Sequence, residues 1–182
     1  VSADSTLPFS QHRDILYLCG VDQEESILLL FPDAPYETQR EILFLKETSE
    51  HIAVWEGEKL TKDRAFEVSG VKTVYWLTDF HKILNEMMTY CDTIYINTNE
   101  HYRAVIETET REARFVKWWK DRYPAHQVAK SNPILQRIRS VKESEELDLI
   151  QKACDITEKG FRRLLSFVQP NVMEYEIEAE LI

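Results

Sequence analysis

The chain has 182 residues, of which 43% are hydrophobic and 30% are charged. This length and hydrophobic content suit one domain with a sizeable core, or one domain plus part of a second, and they argue against an intrinsically disordered chain. The 22 basic and 32 acidic residues give a formal net charge of −10. No nucleic-acid partner is expected, because a negative surface repels phosphate backbones.

Membrane insertion and disulfides are also disfavoured. The longest apolar run, residues 27–31, is far shorter than the roughly 20 residues that a membrane-spanning helix needs, so no membrane partner is expected. The three cysteines, Cys19, Cys91 and Cys154, are an odd number at distant positions. They are typical of reduced thiols in the core of a cytoplasmic protein, and a cytoplasmic location is predicted.

Strand-like and helix-like segments alternate over the first two-thirds of the chain, which predicts an α/β domain with a mixed sheet. Apolar runs predict strands at residues 16–19, 26–31, 41–46, 52–55, 73–76 and 93–96, the first two buried on both faces. Helical spacing predicts helices at residues 61–69, from about 80 to 90 with Thr78 or Asp79 as cap, and at 112–123. The two prolines within residues 32–40 predict the turn of a hairpin.

The composition changes at residues 131–133, Ser-Asn-Pro, which we interpret as a domain boundary. Residues 1–131 then form one domain and residues 132–182 begin a second. Ser140 and Glu143 have the spacing of a capping box and predict a long helix with an apolar stripe. Asn171 with Glu174 predicts the cap of a further helix. That helix stops on two aliphatic residues without a cap, and the chain begins without Met, so both ends look cut.

Taken alone, the residues contain no evident active site. The four glycines are isolated and cannot form a phosphate-binding loop. The five histidines are far apart and are expected to be solvated or structural rather than metal ligands. Cys91 has no evident activating partner. Asp148 and Asp155 share a helix face but are expected to be exposed.

One segment mixes aromatic and basic residues. Trp118 and Trp119 lie among Lys117, Lys120 and Arg122, a composition that single-strand nucleic-acid platforms use. The same pattern is typical of an amphipathic helix with one tryptophan facing inward and solvated lysines. The net charge favours the amphipathic helix.

Three segments, in order, resemble the amino-terminal domain of aminopeptidase P and its prolidase relatives. The first is residues 2–20, Ser-Ala-Asp-Ser-x-x-Pro-Phe-x-Gln-x-x-Asp-x-x-Tyr-Leu-x-Gly. The second is residues 54–60, Val-Trp-Glu-Gly-Glu-Lys-Leu, followed by a Gly-Val pair. The third is residues 137–146, Arg-Ile-Arg-Ser-Val-Lys-Glu-x-Glu-Glu, which looks like the start of the family's catalytic domain.

The resemblance implies a mixed β-sheet flanked by helices, of the creatinase/prolidase amino-terminal, ribonuclease H-like type. The first helices of an α+β pita-bread catalytic domain would follow. In this family that domain holds two divalent metal ions, usually manganese, with ligands downstream of residue 182, so no metal and no catalytic residue is expected in this chain. The family normally has a helix and a strand before the Ser-Ala-Asp-Ser stretch, so the sheet is expected to lack them here.

Two residues of the chain are implicated in substrate binding by the resemblance. In aminopeptidase P-like tetramers an Asp and a Trp of this domain reach a neighbouring subunit's active site, and by motif these are Asp4 and Trp55. A carboxylate can bind the amino terminus of a proline-containing peptide, and an indole can pack on its pyrrolidine ring. Either residue could instead have a structural role, as a cap or as packing. Pro8, Phe9 and Gln11 are predicted to specify the fold.

The resemblance leaves three functions open. The leading prediction is the non-catalytic oligomerisation and substrate-gating domain of an Xaa-Pro aminopeptidase, acting as a dimer or tetramer. The same domain occurs in Xaa-Pro dipeptidases. A non-catalytic peptide-binding relative, such as the large subunit of the FACT histone chaperone, is the third. Asp4 together with Trp55 favours the aminopeptidase.

Overall fold

The structure is a computed structural model that describes residues 9–49, 51, 53–54, 57–98 and 107–181. The chain divides into two compact units, Val1–Ser131 and Asn132–Ile182. That these units correspond to the two domains of the family stays a prediction.

The first unit is an α/β unit with two small sheets. In chain order its elements are α1 (Arg13–Cys19), β1 (Ile27–Leu30), β2 (Glu41–Leu45), α2 (Lys62–Ser69), β3 (Thr73–Trp76), α3 (Phe80–Met87), β4 (Thr93–Ile96), α4 (Arg111–Arg122) and β5 (Gln127–Lys130). Strand β2 pairs antiparallel with β1 and parallel with β3, and β4 pairs parallel with β5. The predicted mixed sheet flanked by helices is therefore confirmed.

Strand β2 is the centre of the core. Its residues alternate between two hydrophobic clusters, and from Ile42 to Leu45 each is at most 1% exposed. Ile42 and Phe44 face α3 and α4, with Phe80, Leu84 and Trp119. Leu43 and Leu45 face Cys19 of α1 and Ala65 of α2. A strand covered on both faces is continuously apolar, as residues 42–45 of this one are.

Local signals set the ends of the confirmed helices. Thr61 caps α2 by accepting the Arg64 N–H, and Thr110 caps α4 by accepting the Ala113 N–H. Gly70 ends α2 at φ 71°, in the left-handed region that glycine enters without steric cost. Asp79, one of the two caps predicted for α3, makes no capping hydrogen bond with its side chain, because a 3₁₀ turn over Leu77–Asp79 precedes the helix.

Two predicted strands are wrong. Residues 16–19 form the last turn of α1, whose N-cap is His12 and whose C-cap is Gly20. The apolar run is a helix face: Ile15 and Cys19 pack inward, four residues apart, whereas Tyr17 and Leu18 are more than a third exposed. In the predicted strand at 52–55, the described Ala53 and Val54 are helical, and the Ala53 N–H donates to the Ser49 carbonyl.

One further expectation about strands fails, and one strand was missed. Strand β1 has the predicted position, but Leu30 is half exposed because, among the described residues, β1 pairs only with β2. Strand β5 was not predicted, because Gln127–Lys130 contains only two apolar residues between polar ones.

The second unit consists of helices α5 (Asn132–Ser140), α6 (Ser144–Phe167) and α7 (Glu174–Leu181). The cap of α6 is Glu143, which forms a capping box with Glu146. Ser140, the predicted cap, ends α5 and donates to the Gln136 carbonyl. Asn171, the predicted cap of α7, lies three residues before that helix at φ 76°.

The three cysteines are free thiols in the structure, but they differ in burial. Burial raises the pKa of Cys19 and of Cys91, which keeps both as unreactive thiols. Cys154 lies on α6 and is exposed, so its assignment to a core is wrong. In the described part of the chain, no helix combines the length and apolarity needed to cross a bilayer.

Candidate functional site

The residues predicted to reach substrate, Asp4 and Trp55, lie outside the described residues, as does Pro8. Their roles therefore stay predictions. The described chain resumes five residues after Asp4, at Phe9, and two residues after Trp55, at Gly57. Phe9 is half exposed, whereas Gln11 is buried.

Gln11 holds the loop that connects α1 to β1. Its Nε2 lies within hydrogen-bond distance of three acceptors, which share its two hydrogens: the Val21 carbonyl at 3.1 Å, the Gln23 carbonyl at 2.8 Å and Ser26 Oγ at 3.0 Å. Its Oε1 accepts the His12 N–H at 2.8 Å. A buried amide with both ends bonded fixes its surroundings, because breaking any of these contacts leaves a desolvated polar group. The predicted fold-specifying role of Gln11 agrees with this geometry.

The same loop reaches the segment that follows Trp55. Gln23, which is 5% exposed, accepts the Leu60 N–H on Oε1 at 2.6 Å. Its Nε2 is covered by protein and has no hydrogen-bond partner among the described residues. Only the amide oxygen of this side chain makes a hydrogen bond, so the side chain is a buried acceptor for one backbone N–H.

An ion pair lies next to this contact. The Lys59 ammonium, with its side chain only 10% exposed, bonds Glu24 Oε1. The hydrogen bond from Lys59 lowers the pKa of the Glu24 carboxyl. We use "the polar clamp" for the side chains of Gln11, Gln23, Glu24 and Lys59 together with the Leu60 N–H. The clamp joins three stretches of chain: the one beginning at Phe9, the α1–β1 loop, and the one that continues from Trp55.

The loop residue after the clamp is strained. Glu25 has φ 53°, in the left-handed region that non-glycine residues rarely adopt. Its carboxylate lies 3.2 Å from the Arg111 guanidinium at the start of α4 and 3.8 Å from the Lys46 ammonium at the end of β2. Of three consecutive loop residues, Gln23 and Glu24 therefore hold residues 59–60, and Glu25 contacts two other parts of the first unit.

A separate pocket of about 500 Å³ lies between α4 and β5. In the part of the chain that the structure describes, three polar atoms of its lining residues have no hydrogen-bond partner: Thr98 Oγ1, Trp119 Nε1 and His126 Nδ1. These atoms are covered by protein, and Lys120 and Lys130 also line the pocket.

The remaining candidates are structural. Trp119 is fully buried and Trp118 packs against the same core beside Phe115 and His81. The alternative of an exposed tryptophan platform on α4 is therefore wrong. Asp148 and Asp155 are exposed, as predicted. Within the described residues no group of three or more His, Cys, Asp or Glu side chains could hold a metal ion.

Sequence reasoning missed Gln23 and Glu24. Nothing in the pattern Gln-Glu-Glu distinguishes a buried acceptor from solvated loop residues, because burial of Gln23 depends on contacts 37 residues away in the chain. The only available signal was the resemblance, which drew attention to Gln11 and to residues 54–60.

Comparison with known proteins gives a consistent picture. The family model "Aminopeptidase P, N-terminal domain" matches residues 1–95, which is more than half of the chain. The chain is 25% identical to the Xaa-Pro aminopeptidase of Haemophilus influenzae, over 98% of this chain and 39% of the relative. It thus spans about two-fifths of the length of that curated relative.

Solved structures agree. The fold superposes on a Bacillus anthracis structure attributed to aminopeptidase P with a TM-score of 0.86 at 26% identity, covering 100% of this chain and 43% of that one. It superposes on Escherichia coli aminopeptidase P, in a low-pH form, with a TM-score of 0.81 at 23% identity, covering 99% of this chain and 41% of the other. The second likeness shows the fold alone. The chain belongs to the aminopeptidase P N-terminal domain family.

Proposed function

We propose that this chain is the non-catalytic amino-terminal domain of an Xaa-Pro aminopeptidase, a hydrolase that removes the amino-terminal residue preceding a proline. The observation that carries the proposal is the match of both units, over 98% of the chain, to an Xaa-Pro aminopeptidase more than twice as long. The domain's roles would be oligomerisation and substrate gating in the cytoplasm.

The chemistry would reside outside this chain. The described residues do not fit a metal site, so no step through a metal is assigned to them. In the proposed parent enzyme two divalent ions, manganese by resemblance, would be held by a catalytic domain that follows. That domain would supply the activated water and the stabilisation of the oxyanion.

The contribution of this chain would be to bind substrate across a subunit boundary. Asp4 would pair with the amino terminus of a peptide, since a carboxylate and an ammonium form a charge-assisted hydrogen bond. Trp55 would pack on the proline ring or on the residues beyond it. The proposal therefore requires a homo-oligomer, a dimer or a tetramer.

The first test compares two proteins on a Xaa-Pro-Yaa peptide with Mn²⁺: the 182-residue chain, and the product of the uninterrupted reading frame that encodes it. Release of the amino-terminal residue by the longer protein alone is the expected result. If the longer protein also fails to hydrolyse the peptide and does not bind manganese, the peptidase proposal is wrong and a peptide-binding relative is favoured.

The second test replaces Trp55 in the longer protein. Trp55→Ala should raise KM or lower kcat for peptides longer than a dipeptide, with unchanged metal content, because only the aromatic contact is lost. Steady-state kinetics over a peptide-length series and metal analysis measure this. Tyr36→Ala, which removes an exposed aromatic ring elsewhere, is the matched control. A change confined to thermal stability would make Trp55 a packing residue.

A further inference from the structure

The α4–β5 pocket, the cavity of about 500 Å³ described above, combines apolar and cationic walls. Trp119, Tyr123 and Val128 supply apolar surface, and Lys120 and Lys130 supply positive charge. No described residue that lines the pocket is acidic, although the whole chain has 32 acidic residues against 22 basic ones. The volume lies in the range of pockets that hold small organic molecules. The pocket therefore differs in charge from the chain as a whole.

Lys120 has no acidic neighbour on its own helix. Side chains three and four positions apart lie beside each other on a helix surface, and for Lys120 these positions hold Val116, Lys117, Tyr123 and Pro124. Among the described residues no carboxylate pairs with Lys120, whereas Lys117 on the same helix pairs with Glu109. The positive charge of Lys120 is therefore available to an anion that enters the pocket.

The hydrogen-bonding groups of one pocket wall are also incompletely used. Of five buried polar side-chain atoms that lack a partner in the described part of the chain, three belong to residues that line this pocket. Trp119 Nε1 is a donor. His126 Nε2 lies 2.9 Å from the Met88 carbonyl, which only accepts, so Nε2 carries the proton and Nδ1 of the neutral ring is an acceptor. Buried donors and acceptors are nearly always paired, so this grouping marks the wall as unusual.

From this arrangement we infer that the α4–β5 pocket binds a small organic anion, an apolar body that carries a carboxylate or phosphate group. The apolar walls bury the body, and the ammonium groups of Lys120 and Lys130 bind the anionic group through charge-assisted hydrogen bonds. Every residue that lines the pocket belongs to the first unit. The site would therefore be present in this chain whatever reaction the longer protein catalyses.

Titration of the 182-residue chain with naphthoate, followed by heteronuclear NMR, tests this inference. The indole N–H of Trp119 and the backbone N–H of Val128 should shift saturably, with a Kd of about 1 mM or tighter for a ligand of about 13 non-hydrogen atoms. The indole N–H of Trp76, which packs against the other hydrophobic cluster, should not shift. Naphthamide has the same rings without the charge and should bind about tenfold more weakly. Naphthyl phosphate shows which anionic group the pocket prefers.

Lysine variants assign the charge that binds the anion. Lys120→Gln should raise the Kd for naphthoate by about threefold to fivefold and leave the Kd for naphthamide unchanged. The double variant Lys120→Gln with Lys130→Gln should raise the Kd for naphthoate by about tenfold or more. Lys117→Gln makes the same change in net charge on the same helix, at a residue that does not line the pocket, and should leave both Kd values unchanged. Both Lys120 and Lys130 are exposed, so melting temperatures should stay close to that of wild type.

Three results would overturn the inference. One is the absence of a saturable shift at naphthoate concentrations up to about ten times the expected Kd. Another is equal binding of naphthamide and naphthoate, which would make the pocket an apolar cavity without preference for anions. The third is an equal effect of Lys117→Gln and Lys120→Gln, or a shift of Trp76 together with Trp119, because the anion would then bind the protein surface without selecting the pocket.

Discussion

The two units of the chain contrast in how their apolar residues are used. In the first unit, β2 is covered on both faces and its four apolar residues are almost inaccessible. In the second unit, none of the described residues of α5, α6 and α7 is buried. In the apolar stripe of α6, Leu147, Phe161 and Leu165 are each more than half exposed. Periodicity alone therefore identifies a helix face without showing what covers it.

The largest expected difference between the units concerns single apolar side chains. Phe44 is fully buried and contacts the rings of Tyr75 and Phe80, so Phe44→Ala should lower the free energy of unfolding by about 3–5 kcal/mol. Leu165→Ala, at a 79% exposed position, should change it by less than about 0.5 kcal/mol. Urea unfolding of the 182-residue chain measures both.

Tryptophan fluorescence isolates the first unit in that experiment, because the four tryptophans all lie before residue 132. Far-UV circular dichroism adds the helices of the second unit. A loss of several kcal/mol for Leu165→Ala would mean that the stripe of α6 is covered in solution and would remove the contrast.

A smaller effect tests where α6 begins. Glu143→Ala removes the capping side chain and should lower the stability of this helix by about 1 kcal/mol. Ser140→Ala should have an effect within about 0.5 kcal/mol, because Ser140 only bonds a carbonyl of its own helix. Ellipticity at 222 nm during thermal unfolding measures both. The opposite order would place the cap at Ser140, as its spacing from Glu143 predicted.

The predicted and the observed N-cap of α6 show why local sequence patterns predict that a helix exists more reliably than they predict where it begins. Ser140-x-x-Glu143 fits the sequence pattern of a capping box, whereas the observed box has Glu143 at the N-cap, outside that pattern. Placing the cap at Glu143 requires knowing that α5 occupies residues up to Ser140. The same limit explains α1. An apolar run of four residues is compatible with a short strand or with one helical turn. The caps at His12 and Gly20 stabilise the helix.

Tertiary contacts explain what the sequence could not predict. Strands 73–76 and 93–96 were predictable from their β-branched and aromatic residues, whereas β5 becomes a strand through its pairing with β4. In the candidate site, Gln11 was found through the resemblance. Gln23 and Glu24 were not found, because their partners are distant in sequence.

The smallest expected effect concerns the ion pair of the polar clamp. Glu24→Gln should lower stability near pH 7 by about 0.2–1 kcal/mol, since the carboxylate is partly exposed. Because Lys59 lowers the folded-state pKa of Glu24 below its ordinary value of 4.5, this stabilisation is fully present above pH 4.5. It is lost as the pH falls through the folded-state pKa.

The free energies of unfolding of wild type and Glu24→Gln, measured between pH 2 and pH 7, should therefore become equal at the acid end. The difference should disappear over the pH range in which carboxyl groups titrate. Glu37→Gln, at an exposed position on the Glu37–Gln39 turn, is the control and should show no such convergence. A difference that persists unchanged to the acid end would mean that the carboxylate charge is not what stabilises the clamp.

The pairing partners of the strands have a consequence for the order of folding. Ile27 pairs with Phe44, 17 residues later, whereas Ile42 pairs with Thr73 and Thr93 with Gln127, which are 31 and 34 residues apart. Closing a longer loop costs more chain entropy, and a hairpin forms within about 1–10 μs. We expect the β1–β2 hairpin to form first. During synthesis on the ribosome, β4 could not pair fully with β5 until residue 130 had emerged.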